Sequence, residues 1–331
     1  MRVGSVCRAR VPLVCTPSTA HRTTCITDNK LGEAISVSSI KDMYKEIAYE
    51  MVKNSEQTED VTQEHVFQEG NRKNRELVNR IVDDLIDPRS RIENFENLEE
   101  LARLSAQGKA CLILMEHYSN FDIPGLYYLL QKAGDTGADF ADRIISIAGL
   151  KLNISNRFVL AFAESYSRIV IYPSRTLNSI TDPEQLKRES RRSRELNRAA
   201  LREMIRHKYN GRIVLVFPAG TRYRPGKPET KRPVKETDSY LKSFDHMVMI
   251  GTAGNLLHVD PGEDMTADVP NNDLMVYYAS DVMDCKSFRD GARGTVPDGE
   301  DAKQYAADAV GAKLEELHQK AQEVRARLLR S

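Results

Sequence analysis

Six short, almost uniformly apolar and β-favouring runs, 110–115, 143–148, 168–172, 212–217, 246–251 and 274–279, alternate with helical stretches after Gly108. Runs without polar alternation suit strands covered on both faces, and a strand–helix–strand order builds a parallel sheet. The expected fold is therefore α/β, a mostly parallel central sheet flanked by helices near 123–132, 155–164 and 183–208, with a last amphipathic helix over 302–329. Ahead of it, Ile40, Met43, Ile47 and Met51 repeat at helical spacing, as do Leu77, Val78, Ile81, Val82 and Leu85 before the stop at Pro88. A third helix is expected over 97–106. These predict a small N-terminal helical bundle and a division into residues 1–30 outside the fold, 31–106 helical and 107–331 α/β.

Two motifs follow core runs directly. His117-Tyr-Ser-Asn-Phe-Asp122 comes after the first, and Phe217-Pro-Ala-Gly-Thr-Arg222 closes the fourth. Loops at strand ends are where α/β folds place their sites. With a helix starting near Asn120-Phe-Asp122-Ile-Pro124, the Asp122 carboxylate can fold back onto the His117 imidazole, fix its tautomer and leave the other ring nitrogen to take a proton from a hydroxyl. No protein nucleophile is required if the substrate's own hydroxyl attacks. A structural histidine is the plain alternative for that spacing alone. In the second motif Gly220 permits a tight turn whose N–H groups face an anion, and Arg222 and Arg224 can grip phosphate oxygens, with Lys227 adding charge. A solvated basic loop is the plain alternative there.

Together, His117-xxxx-Asp122 and Phe217-Pro-x-Gly-Thr-Arg222 resemble the glycerolipid acyltransferase superfamily, which acylates glycerol 3-phosphate and lysophosphatidate, over residues 105–260. Arg222-Tyr-Arg224-Pro225 is similar to the soluble, plastid-type glycerol-3-phosphate acyltransferases, which also carry a helical domain ahead of the catalytic one. The resemblance implies His117 and Asp122 as catalytic groups, Arg222 and Arg224 as phosphate ligands with Arg175 of Ile169-Val-Ile-Tyr-Pro-Ser-Arg175-Thr176 as a third, and Gly220 as turn or oxyanion site. Thr176 stands where the soluble type has His. Ala219 stands where the lysophosphatidate branch usually has Glu, and the fourth block, near His246-Met-Val-Met-Ile250, lacks its proline. The implied activity is acyl transfer from a thioester, acyl-CoA or acyl-acyl carrier protein, to the sn-1 hydroxyl of glycerol 3-phosphate, with no metal or cofactor. The alternatives are acylation of lysophosphatidate at sn-2 and, more distantly, an inactive relative that binds lipid or acyl carrier protein.

The formal net charge of the 331-residue chain is +0, so recognition of anions must come from local patches. The helix over 183–208 is such a patch: Arg191, Arg194 and Arg198 stand out among its cations as a possible docking surface for the donor or for lipid headgroups, against a solvated face of i,i+4 pairs. Nucleic acid is not expected, because no base-reading motif or aromatic platform accompanies the charges. No stretch approaches the roughly 20 apolar residues that span a bilayer. The five cysteines have no metal spacing and fit a reducing compartment, with Cys111 a small core residue. A cytoplasmic protein, soluble or at a membrane periphery, is expected. The alternative is the plastid stroma, if the Arg- and Ser/Thr-rich segment before Asp28 is a transit peptide.

Overall fold

The computed structural model describes residues 39–56, 60–154, 156–260 and 264–331. The segment before Asp28, with Cys7, Cys15 and Cys25, lies outside them. Residues 38–331 cluster as one compact unit.

The helices are α1 (Ile40–Met43), α2 (Lys45–Asn54), α3 (Arg72–Leu85), α4 (Phe95–Ala106), α5 (Asp122–Lys132), α6 (Asp135–Arg143), α7 (Lys151–Ile154), α8 (Arg157–Ala163), α9 (Ser174–Asn178), α10 (Pro183–Lys208), α11 (Thr237–Ser243), α12 (Cys285–Arg293) and α13 (Ala302–Arg330). The strands are β1 (Phe67–Gln68), β2 (Arg91–Glu93), β3 (Cys111–Met115), β4 (Ile144–Gly149), β5 (Arg168–Ile171), β6 (Ile213–Val216), β7 (His246–Ala253), β8 (Leu257–His258), β9 (Val269–Pro270), β10 (Val276–Ala279) and β11 (Met283–Asp284). The central sheet runs β1-β5-β4-β6-β3-β7-β10-β2, with β11 also on β7. Its middle, β5 through β7, is parallel, and β1, β10 and β11 join antiparallel.

Each of the six apolar runs becomes a strand, and β3 and β6 are buried at every residue. That is what continuous apolar sequence demands of a sheet with helices on both faces. The N-terminal helices are not a body apart. The 31–106 stretch also supplies β1 and β2 to the two edges of the sheet, and α3 and α4 bury Leu77, Val78, Ile81, Leu98 and Leu101 in the same core as β3 and β6. Among the described residues no boundary between units falls near 106.

Local chemistry sets the helix starts. Asp182 accepts the Gln185 N–H at 2.6 Å ahead of Pro183, so α10 starts with a side-chain cap and a ring that needs no amide partner. Asn71 and Asp301 cap α3 and α13 in the same way. Both described thiols, Cys111 and Cys285, are buried, and burial pushes the Cys111 pKa up to about 12, as befits packing groups. No described helix is long and apolar enough to cross a membrane.

α13 lies on β7 through Gly251. A Cβ there would stand 2.4 Å from the Leu317 carbonyl carbon and from the His318 nitrogen. Helix and strand backbones therefore meet with no room for a methyl. Gly251→Ala is expected to lower the unfolding free energy by about 1–3 kcal/mol through overpacking; an unchanged denaturant midpoint would show that α13 does not pack this closely.

Candidate active site

β3 and β6 are neighbouring parallel strands, with Leu114 in register with Val216, so the loops after them leave the same edge of the sheet side by side. Three contacts tie the loops together. The Phe217 ring stacks on the His117 imidazole, centroids 3.8 Å apart and planes within 9°. The Tyr223 N–H donates to the His117 carbonyl at 2.7 Å. The Tyr118 and Tyr223 rings meet edge to face at 5.8 Å.

Asp122 opens α5 and turns back over the loop that precedes it. Its Oδ2 lies 2.8 Å from His117 Nδ1 and accepts the N–H groups of Tyr118 at 2.6 Å and Ser119 at 2.9 Å, while Ser119 Oγ reaches Oδ1 at 3.3 Å. A carboxylate oxygen only accepts, so Nδ1 is the donor in this contact. The arrangement can do base chemistry: the Asp122 side chain is 1% exposed and the His117 side chain 18%, which leaves the imidazole reachable.

Behind this pair, the Tyr277 hydroxyl donates to the Asp122 carbonyl at 3.0 Å. It reaches there because residue 125 is Gly: a Cβ would stand 2.4 Å from that oxygen. The start of α5, and with it the carboxylate, is thus fixed against β10.

In the second loop Gly220 has φ +64°, a conformation that favours glycine, and its N–H donates to the Phe217 carbonyl at 2.9 Å, within the turn. Arg222 points inward. It is 9% exposed and its Nη1 pairs with Oδ2 of the fully buried Asp268, whose other oxygen accepts the Asp260 N–H at 2.9 Å; Asn120 Nδ2 adds a contact at 3.4 Å. Burial raises the Asp268 pKa and Arg222 offsets that in part. Arg224 is half-buried, its N–H donates to Thr230 Oγ1 at 2.9 Å, and no ion pair holds its guanidinium among the described residues. Arg175 is exposed on α9, after β5. Three strand spacings, roughly 14 Å, separate its strand from that of His117.

A cavity of about 280 Å³ opens beside His117. Tyr118, Ala219, Tyr223, Lys231, Arg232 and, from α13, Leu314 and Glu315 help to line it, while Arg175, Arg222 and Arg224 do not. Its floor is a charged network. Glu116 accepts from Tyr118 Oη at 2.8 Å, from the Thr252 N–H at 2.9 Å, and faces Lys231 Nζ at 3.3 Å and His318 Nδ1 at 3.1 Å; Lys231 also pairs with Glu315. Burial opposes charge on Lys231 and His318, but Glu315 and Glu116 beside the amine, and Glu116 beside the imidazole, lift both above their ordinary values. Burial, then Glu116, pushes the Tyr118 hydroxyl far up, so it stays a donor. Arg232 pairs with Asp308 of α13 at 2.7 Å.

Sequence reasoning missed Glu116, Lys231, Glu315, His318 and Asp268. Only Glu116 carried a signal, an acid beside His117 at the end of an apolar run; the others come from distant segments. The candidate docking cations Arg191, Arg194 and Arg198 are exposed on α10, Arg191 bonding Glu195 at 3.1 Å.

Two predictions follow from these pairings. Arg222→Ala strands the Asp268 carboxylate and is expected to cost about 3–5 kcal/mol of folding stability, whereas Arg224→Ala leaves the denaturation midpoint within about 0.5 kcal/mol of wild type; similar effects of the two would contradict the difference in their surroundings. The folded pKa of His318 lies above the ordinary 6.5. Its contribution is therefore complete below that value and is lost as pH rises through the raised one. Unfolding measured against pH should show the gap between wild type and His318→Gln narrowing over that rise, and parallel curves would refute it.

No curated protein matches the chain. Residues 89–242, the span from before α4 to α11 that holds both motif loops and Arg175, match the protein-family model described as Acyltransferase. The His117–Asp122 pair lies within the matched span.

Proposed function

We propose that the chain is a glycerol-3-phosphate 1-O-acyltransferase, moving a fatty acyl group from a thioester, acyl-CoA or acyl-acyl carrier protein, to the sn-1 hydroxyl of glycerol 3-phosphate in phospholipid synthesis. The observation that carries this reading is the joining of a base to a basic loop: His117, backed by Asp122 at 2.8 Å, is stacked on Phe217 of the very segment that leads to Arg222 and Arg224.

In this account His117 Nε2 takes the proton of the acceptor hydroxyl as that oxygen attacks the thioester carbonyl. The Asp122 carboxylate steadies the imidazolium that forms. The tetrahedral intermediate collapses by breaking its carbon–sulfur bond, and the imidazolium returns the proton to the departing thiolate. Arg224 and Arg175 meet the acceptor phosphate, while Arg222, paired with Asp268, holds the loop that carries Arg224. Holding the phosphate fixes where the hydroxyl sits, which turns an encounter of two molecules into an oriented one. Acylation of lysophosphatidate would use the same base. The chain lacks the glutamate usual in that branch, having Ala219, which lines the cavity beside His117.

The purified chain, assayed with glycerol 3-phosphate and lysophosphatidate crossed against acyl-CoA and acyl-acyl carrier protein, is expected to turn over glycerol 3-phosphate. His117→Ala should lower the rate by roughly a hundredfold to ten-thousandfold. Arg224→Ala should raise the KM for glycerol 3-phosphate far more than the KM for the donor. Turnover of lysophosphatidate alone, near-normal activity of His117→Ala, or equal effects of Arg224→Ala on both KM values would each contradict this reading.

A further inference from the structure

Seven large apolar side chains are exposed among the described residues, and four of them, Leu186, Leu201, Ile205 and Tyr209, lie on α10 or on the residue that ends it. That concentration sets α10 apart from every other surface helix. Leu201, Ile205 and Tyr209 are 48%, 46% and 54% exposed. Spaced at i, i+4 and i+8, they form one ridge on the outer face of the helix. The inner face is satisfied separately, burying Leu196, Ala199, Ala200 and Met204 against the sheet.

The ridge continues towards the helix start as charge. Arg198, Arg194, Arg191 and Lys187 follow at steps of three and four residues, with Arg202 beside Leu201, and all five are exposed. Of these, only Arg191 is held by a carboxylate among the described residues, Glu195 at 3.1 Å. A face turned only to water would not align three apolar side chains behind a row of cations of which only Arg191 is paired.

We propose that this face of α10 docks the protein on an anionic lipid surface. From residue 187 to 209 the line is straight over roughly 33 Å, which suits a plane. Arginine heads would meet lipid phosphates while Leu201, Ile205 and Tyr209 enter the boundary between headgroups and acyl chains, a place that suits a tyrosine with an apolar body and a polar tip. A second copy of the chain is the wrong occupant, because pairing two such faces would set arginine against arginine if the helices ran parallel and bury arginine against leucine and isoleucine if they ran antiparallel. The orientation is useful as well. As the crossover between parallel strands, α10 runs opposite to β6, so its basic half lies towards the edge of the sheet from which the loops of Arg175 and Arg222 leave. This inference does not depend on which acceptor the site acylates.

The test is co-sedimentation of the full chain with vesicles of phosphatidylcholine alone and of phosphatidylcholine mixed with phosphatidylglycerol. Binding is expected to the mixed vesicles, falling with salt, and not to the neutral ones. Replacing Arg194, Arg198 and Arg202 together by Gln should lower the partition by on the order of a hundredfold, about fivefold for each charge. Leu201→Ser with Ile205→Ser should lower it by on the order of tenfold while the variant still unfolds in one cooperative transition, because about half of each side chain already faces solvent. No binding to anionic vesicles would overturn the proposal, as would binding that neither variant weakens. Loss of an acidic carrier protein's binding in the arginine variant, with vesicle binding intact, would give the face to a protein instead. A concentration-dependent dimer abolished by the Leu201/Ile205 changes would give it to a second copy.

Discussion

One buried carboxylate organises the site. Asp122 gathers the His117 ring nitrogen and the Tyr118 and Ser119 amides on one oxygen, and each depends on the others: the amides are in place because the loop turns sharply after β3, and the loop turns sharply because the carboxylate satisfies them. Buried donors without partners would cost about 1–3 kcal/mol each, so the turn and the acid stabilise one another. Tyr277 and the missing side chain at Gly125 extend this to the sheet, since the α5 start can settle only where the Tyr277 hydroxyl meets the Asp122 carbonyl. The imidazole is thereby oriented before any ligand arrives, and Phe217 from the neighbouring strand closes its other face.

Around this centre the charges fall into two groups that solve different problems. Glu116, Lys231, Glu315 and His318 balance one another beneath the cavity, and they bind α13 and the 228–233 segment to the first motif loop. Arg222 and Asp268 form a second closed account of charge, deep under the other loop. Arg224 and Arg175 belong to neither and keep their charge for what comes from outside. In a low-dielectric setting a paired guanidinium orients the chain, whereas an unpaired one near the surface attracts an anion. Type of residue alone does not separate these roles; surroundings do.

Much of the frame was legible. Strands with no polar alternation announced a sheet covered on both faces, and the helical stretch over 183–208 became α10 with the same bounds. The adjacency of the His117 and Phe217 loops followed from their position after core strands. Other features left no local trace. β1 and β2, of two and three residues, are too short to show a period, so the helical N-terminal stretch gave no sign that it also edges the sheet. Asp268 is one acid among many until the fold carries it to Arg222, and Lys231 and His318, 87 positions apart, meet Glu116 from two different segments, the 228–233 stretch and α13. In α10 the basic residues were readable, but Leu201 and Ile205 look like core in any helical pattern, and only the buried face beside them shows that they are not needed there.

The account stands most directly on Asp122 acting through His117. The measurement that tests this is a double-mutant cycle on acyl-transfer kcat/KM with His117→Ala, Asp122→Asn and the two combined. If the carboxylate works by orienting and steadying that imidazole, removing it from an enzyme already without the imidazole changes nothing further, and the double variant is no slower than His117→Ala alone. Losses that multiply would show two groups acting independently and would contradict the account.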